Sequence, residues 1–152
     1  MDDAVHIVTT AETPTAVVAE TTTWEAFPQL WPDLLGDVWT FLRASGLSTG
    51  RNVMLYKDHL PSVEVGVEVD GSFDPAGRIV PSSLPAGRAA TTVARGAPSL
   101  GGLARAHVSV REWCTANGHQ LTGVRWEIYG HWRDDQDPAL FETEVYWQLA
   151  AD

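Results

Sequence analysis

The chain has 152 residues, a net charge of −10 and a pI near 4.7, with few and scattered basic residues, which excludes a nucleic-acid partner held by counterion release. Its one cysteine, Cys114, excludes an internal disulfide, and its histidines show no ligand spacing, so no metal and no cofactor are expected. No apolar run has the length of a signal or membrane-spanning segment, so the expectation is a cytoplasmic protein without a membrane partner.

Residues His6 to Thr10 and Thr15 to Thr22 read as two short strands around Pro14. A helix follows: Leu34, Val38, Phe41 and Leu42 keep the three-and-four spacing of an apolar face. Leu30 and Trp31 lead into it, Pro32 suits its first turn and Gly46 its end. Asn52 to Asp58 reads as a strand, His59 to Pro61 as a connection, and Ser62 to Val69 alternates with Val63, Val65, Val67 and Val69 inward. Arg78 to Ser83 is a short run before Pro85.

Gly87 to Arg95 begins the pattern again, and the loop Gly96 to Gly102 leads into a helix from about Ser99 to Ala116. Leu103, His107, Val110 and Cys114 form that helix's apolar stripe, and Asn117-Gly118 stops it. Strands at about Gly123 to Trp132 and Thr143 to Ala150, joined by a polar loop, complete the pattern. The halves correspond: Val18-Ala19-Glu20 with Val93-Ala94-Arg95, Trp39 with Trp113, Tyr56 with Tyr129, and Glu64-Val65 with Glu144-Val145. The offset stays near 72–80 residues. The predicted fold is α+β, one domain of two strand–helix–strand–strand units (about 4–70 and 78–150). Each unit is an antiparallel sheet with its own helix, and a pseudo-twofold axis leaves a groove between the two.

Val124 to Tyr129 carries the chemistry. Strand alternation puts Arg125, Glu127, Tyr129 and His131 on one face, and Val124, Trp126, Ile128 and Trp132 on the other, which reads as core. A carboxylate beside an aromatic ring holds an organic cation or protonates a bound molecule; a solvent-facing Glu, or one paired with Arg125 or Arg88, is the plainer alternative. Asn52, Met54 and Tyr56 are expected to join Glu127 and Tyr129 in the groove. Tyr146 is placed there too, Trp39 is a ligand contact from the first helix, and Trp31 caps one end.

The paired units, the Tyr56-Lys57-Asp58…Pro61 turn region, the Gly87-to-Gly102 strand and loop, and Trp126-Glu127-x-Tyr129 near the C-terminus carry a resemblance to the GyrI-like small-molecule-binding domains. These are the effector-binding domains of AraC-type and MerR-type multidrug regulators. The resemblance covers nearly the whole chain and rests on order and spacing. It implies a groove between two α+β units, with Glu127 at its floor among aromatic rings, meeting lipophilic cations. The expected function is binding of a hydrophobic, aromatic small molecule, cationic or neutral, for sequestration or sensing, through Glu127, Tyr129, Tyr56, Tyr146 and Trp39. The resemblance also implies two alternatives: a hydrolase that opens strained cyclopropane electrophiles with Glu127 as acid or base and Tyr129 orienting water, and a gyrase-interacting inhibitor. No DNA-binding helix-turn-helix is read in the sequence, so a regulator role would need a separate partner chain.

Overall fold

The structure, a computed structural model, describes residues 4–96, 101–131 and 135–151. Eight strands and two helices follow in the order β1 (His6–Thr10), β2 (Thr13–Thr21), α1 (Phe27–Ser45), β3 (Ser48–Tyr56), β4 (Ser62–Asp70), β5 (Ile79–Leu84), β6 (Gly87–Arg95), α2 (Gly102–Ala116), β7 (Leu121–Tyr129) and β8 (Glu142–Leu149). A 3-10 turn at Pro138–Leu140 precedes β8. The α+β class is as predicted, but the strands form one antiparallel sheet, ordered β1-β6-β8-β7-β3-β4-β2-β5, where two sheets were expected. The physical reason lies in β3 and β7. Left as inner edges, they would present unpaired backbone groups. Instead Val53–Tyr56 pairs with Arg125–Ile128 and makes the sheet continuous.

Helix α1 starts earlier than predicted. Pro28 occupies its first turn and Pro32 lies inside it, where the missing N–H removes one backbone bond. The end is at Gly46, whose φ of 76° is the left-handed conformation that glycine adopts without steric penalty. The predicted start of α2 at Ser99, most of the Gly96–Gly102 loop, Trp132 and part of the polar loop before β8 lie outside the described residues.

Directly paired residues in antiparallel strands share a face. One such row runs Val63–Tyr56–Arg125–Trp147–Ala90 across β4, β3, β7, β8 and β6. Phe27, Leu34, Val38 and Leu42 of α1 pack on the β4 end of this face, with Met54, Tyr56, Val63, Val65 and Val67. Ala106, Val110 and Cys114 of α2 pack on its other end, with Ala90, Ala94, Val145 and Trp147. Both helices therefore cover the same face of the sheet, and the β3–β7 strip lies between them.

No helix covers the opposite face, yet Trp126 is only 2% exposed there. The strand order explains this. β1 and β5 are opposite edges of the sheet, but Val8 and Leu84 share one cluster with Trp126, Val53, Leu55 and Ile128. Thr10 Oγ1 also donates to Pro85 O at 2.8 Å. The sheet curls until its edges meet over Trp126, and both of its faces are core. The expectation that the face of Arg125, Glu127 and Tyr129 would be left free of helices is corrected: it is the face that carries both.

Candidate functional site

Glu127 lies on the β3–β7 strip, opposite Met54 on one side and Val145 on the other. It is 3% exposed. Tyr56 donates its hydroxyl to Glu127 Oε1 at 2.8 Å, and the Tyr129 hydroxyl donates to the same oxygen. The His107 ring meets Oε2 through Nε2 at 2.6 Å. Neither Arg125 nor any other Arg or Lys among the described residues pairs with this carboxylate.

Trp147 decides what His107 does. The indole N–H only donates, and it points at His107 Nδ1 at 2.9 Å. Nδ1 must therefore accept and carries no proton. The proton sits on Nε2, so His107 is a neutral ring donating to Glu127. Burial, and then the Glu127 charge, hold both the Tyr56 and Tyr129 phenols well above their ordinary value, so both remain donors. Three neutral donors thus converge on one carboxylate in a water-poor place, and its negative charge has no positive counterpart in contact.

Beside it, the Arg125 guanidinium is surrounded by rings. Its carbon lies 5.5 Å from the Trp24 centroid, 5.5 Å from Tyr56 and 5.3 Å from Trp147. Trp24 comes from the β2–α1 connection and tilts over Tyr56, with centroids 5.3 Å apart. A bulge in β7 between Leu121 and Arg125, at Gly123 with φ of 98°, places the Gly123 carbonyl to accept from Arg125 Nη1 at 3.0 Å. One further buried polar atom on this face, Thr143 Oγ1, has no hydrogen-bond partner among the described residues; Thr143 pairs with Tyr129.

Of the residues expected to line the site, Glu127, Tyr129 and Tyr56 come together, with Met54 beneath: the hydroxyls of Tyr56 and Tyr129 lie 3.7 and 3.5 Å from its sulfur. Trp39 is on the same face, its indole donating to Asn52 Oδ1 at 2.8 Å, and Trp31 packs against the α1 core. Tyr146 is elsewhere. It pairs with Trp126, stacks on that ring at 5.4 Å on the helix-free face, and donates to Glu144 Oε1 at 2.5 Å. Strand parity decides this, since its neighbours Val145 and Trp147 both face the helices. His131 is exposed, past the end of β7. Sequence reasoning passed over His107, Trp147 and Trp24, and named Arg125 only as a residue of the Glu127 face and a candidate partner of Glu127. His107 did leave a signal, as a polar ring on the Leu103–Val110–Cys114 stripe.

Clefts of about 420 Å³ between β6 and α2, and about 310 Å³ near Trp126 and Tyr146, both leave Glu127 out. Around Glu127 the space is occupied by its partner rings and by the Arg125 side chain. Among the described residues, no helix is long and apolar enough to cross a membrane.

No family model and no curated protein sequence matches the chain. Solved structures do. The EcmrR C-terminal domain superposes with a TM-score of 0.79 at 21% identity, covering 97% of this chain and 98% of that one. SAV2435 bound to tetraphenylphosphonium gives a TM-score of 0.74 at 14% identity, over 97% and 94%. A hydrolase from Listeria innocua gives 0.59 at 9% identity, over 96% and 91%. At these identities the likeness is one of fold: the chain shares its architecture, over almost its full length, with the EcmrR C-terminal domain and with SAV2435.

Proposed function

We propose that this chain binds a hydrophobic, aromatic small molecule of positive charge over the β3–β7 strip, with Glu127 as its charge partner and Tyr56, Tyr129 and Trp24 as stacking walls. The observation that carries this reading is the Glu127 carboxylate: 3% exposed, satisfied by neutral donors, and without a cation in contact. Such a charge is costly in the unbound protein and is offset when a ligand brings the opposite one. The tetraphenylphosphonium held by SAV2435, on the same fold, supports the ligand class. The ligand enters by displacing aromatic side chains that now close over the carboxylate, beginning with the half-exposed Trp24. The strand–helix–strand–strand order of β2-α1-β3-β4 and β6-α2-β7-β8, meeting at β3 and β7, supports a duplicated unit about a pseudo-twofold axis.

The test is calorimetric titration with tetraphenylphosphonium and with neutral triphenylphosphine oxide. Glu127→Gln should weaken the cation about tenfold and leave the neutral molecule within about threefold, the difference of one charge-assisted contact. Equal weakening of both would remove charge pairing from the account.

The His107–Glu127 contact favours a second reading, hydrolysis. A carboxylate that takes a proton from water, and an imidazole N–H beside it, suit addition of water across a strained cyclopropane carbon–carbon bond. The hydrolase among the similar structures supports this reading. A product one water heavier, formed over many turnovers and lost in Glu127→Gln, would establish it.

A further inference from the structure

Arg125 is as unusual as Glu127, with the opposite sign. It is half-buried, and no carboxylate among the described residues lies within ion-pair distance of it. Asp58 meets it through its backbone carbonyl, at 2.8 Å from Arg125 Nη1. The Asp58 carboxylate accepts from the Leu60 and Ser62 amides at 3.0 and 2.7 Å. Both bonds that Arg125 makes to described residues use the same nitrogen, which leaves the Nε and Nη2 edge without an acceptor among them. In a chain with twice as many acidic as basic residues, a guanidinium set among rings and without an ion-pair partner among the described residues is a specific arrangement.

A second guanidinium shares the ring. Arg111, exposed on α2, lies 5.9 Å from the Trp147 centroid, and Arg125 lies 5.3 Å from it. Arg111 likewise has no carboxylate partner among the described residues. Desolvation lowers the affinity of Arg125 for its proton; the charges of Tyr56, Asp58 and Glu127 offset part of this, and the charge of Arg111 adds a smaller lowering. An anion in this place would relieve both. Arg125 and Glu127 stand two residues apart on one strand face, about 6.5–7 Å along the strand. The floor therefore presents a negative and a positive group, each buried or half-buried, and neither in contact with the other.

Resting on the small-molecule reading above, we propose that the site is built for an amphoteric aromatic ligand: a cationic end at Glu127, a flat body against Trp24, Tyr56 and Trp147, and an anionic group (carboxylate, sulfonate or phosphate) on the open edge of Arg125, assisted by Arg111. Arg125 then sets specificity, selecting zwitterions over simple lipophilic cations.

Two dyes test this, since they share one xanthylium cation and differ at one group. Rhodamine 110 carries a free carboxylate and rhodamine 123 its methyl ester. Fluorescence anisotropy at neutral pH should show rhodamine 110 bound about tenfold more tightly, the worth of one charged hydrogen bond. Arg125→Met should bring the two dyes within about twofold, and Arg125→Lys should keep the carboxylate dye ahead. Arg111→Ala, on an exposed helix face, should narrow the preference two- to threefold, and it decides the matter even where Arg125→Met folds poorly. Equal binding of both dyes by the wild-type protein, or a preference untouched in whichever of Arg125→Met and Arg111→Ala folds, overturns the proposal and leaves the cation-binding reading standing. Binding of neither dye, nor of tetraphenylphosphonium, overturns both.

Discussion

Replacing Glu127 by glutamine should barely unfold this protein, provided Met54 is present. The Trp147 indole fixes the proton of His107 on Nε2, so the new amide must turn its oxygen toward that ring. Its NH2 then faces the two tyrosine oxygens, which accept in place of donating. Their hydroxyl protons need a new acceptor, and the Met54 sulfur is 3.7 Å from Tyr56 and 3.5 Å from Tyr129. Every buried group stays partnered; the charge assistance is lost, and relief of the buried charge's desolvation cost offsets part of that loss. The cost is about 1 kcal/mol. Met54→Leu alone, close in volume, costs about 1 kcal/mol as well. In the double variant the hydroxyl protons have no sulfur to turn to, and each buried donor left alone costs about 1–3 kcal/mol. With two such donors, the double variant should therefore lose about 2–6 kcal/mol more than the sum of the singles. Equilibrium urea unfolding followed by tryptophan fluorescence measures all four proteins. Additivity within about 0.5 kcal/mol would refute the hydrogen-bond assignment, because the two positions would then share no partners.

The chain has three tyrosines, and each bonds a carboxylate. Burial holds Tyr56 and Tyr129 well above 10 and pushes Tyr146 up to about 12. A raised phenol contributes stability that is complete below the unfolded value near 10 and is lost as pH rises beyond it. Tyrosinate absorbance should accordingly stay flat through pH 10 and rise only with alkaline unfolding; a native tyrosine titrating near 10 would contradict the site geometry. Thr143→Val removes a buried hydroxyl without a partner among the described residues and should raise stability by up to about 1 kcal/mol, or about 2–4 °C in melting temperature. A fall of similar size would show that Thr143 Oγ1 has a partner such as bound water. Gly66 sits in β4, where an added Cβ would lie 1.9 Å from the backbone oxygen of Ala16. Gly66→Ala should cost at least about 3 kcal/mol in urea unfolding, and a native-like midpoint would mean that β2 and β4 are further apart than described.

The local elements were legible because each rests on a short-range rule. Val63, Val65, Val67 and Val69 alternate, and Gly46 marks the end of α1; the structure has a strand at Ser62–Asp70 and a helix ending at Ser45. The joining of the halves was not legible. The pairing of Met54 with Glu127 is set between strands more than seventy residues apart, and nothing in either strand names its partner. Alternation also separates two faces without saying which one a helix covers, and both faces of this sheet are buried. That is why the Trp126 face looked like the helix-bearing core and why Tyr146 was placed with Glu127. His107 was passed over because a lone histidine on an apolar stripe is ordinary; its meaning came from Trp147 on the last strand, which turns it into a donor.

The β3–β7 junction is also the shortest join among the inner strands, confined to Val53–Tyr56 against Arg125–Ile128, whereas β2 pairs with β4 from Thr15 to Thr21 and β6 with β8 from Ala89 to Arg95. Each flank packs against its own helix, and the two flanks are joined at this seam and where the β1 and β5 edges meet. The Tyr56–Glu127 bond crosses the seam, and the proposed ligand lies along it. A molecule bound there would bridge the α1 and α2 flanks at their shortest inner join, and native-state hydrogen exchange at Val53 to Tyr56 is where the stiffening would register.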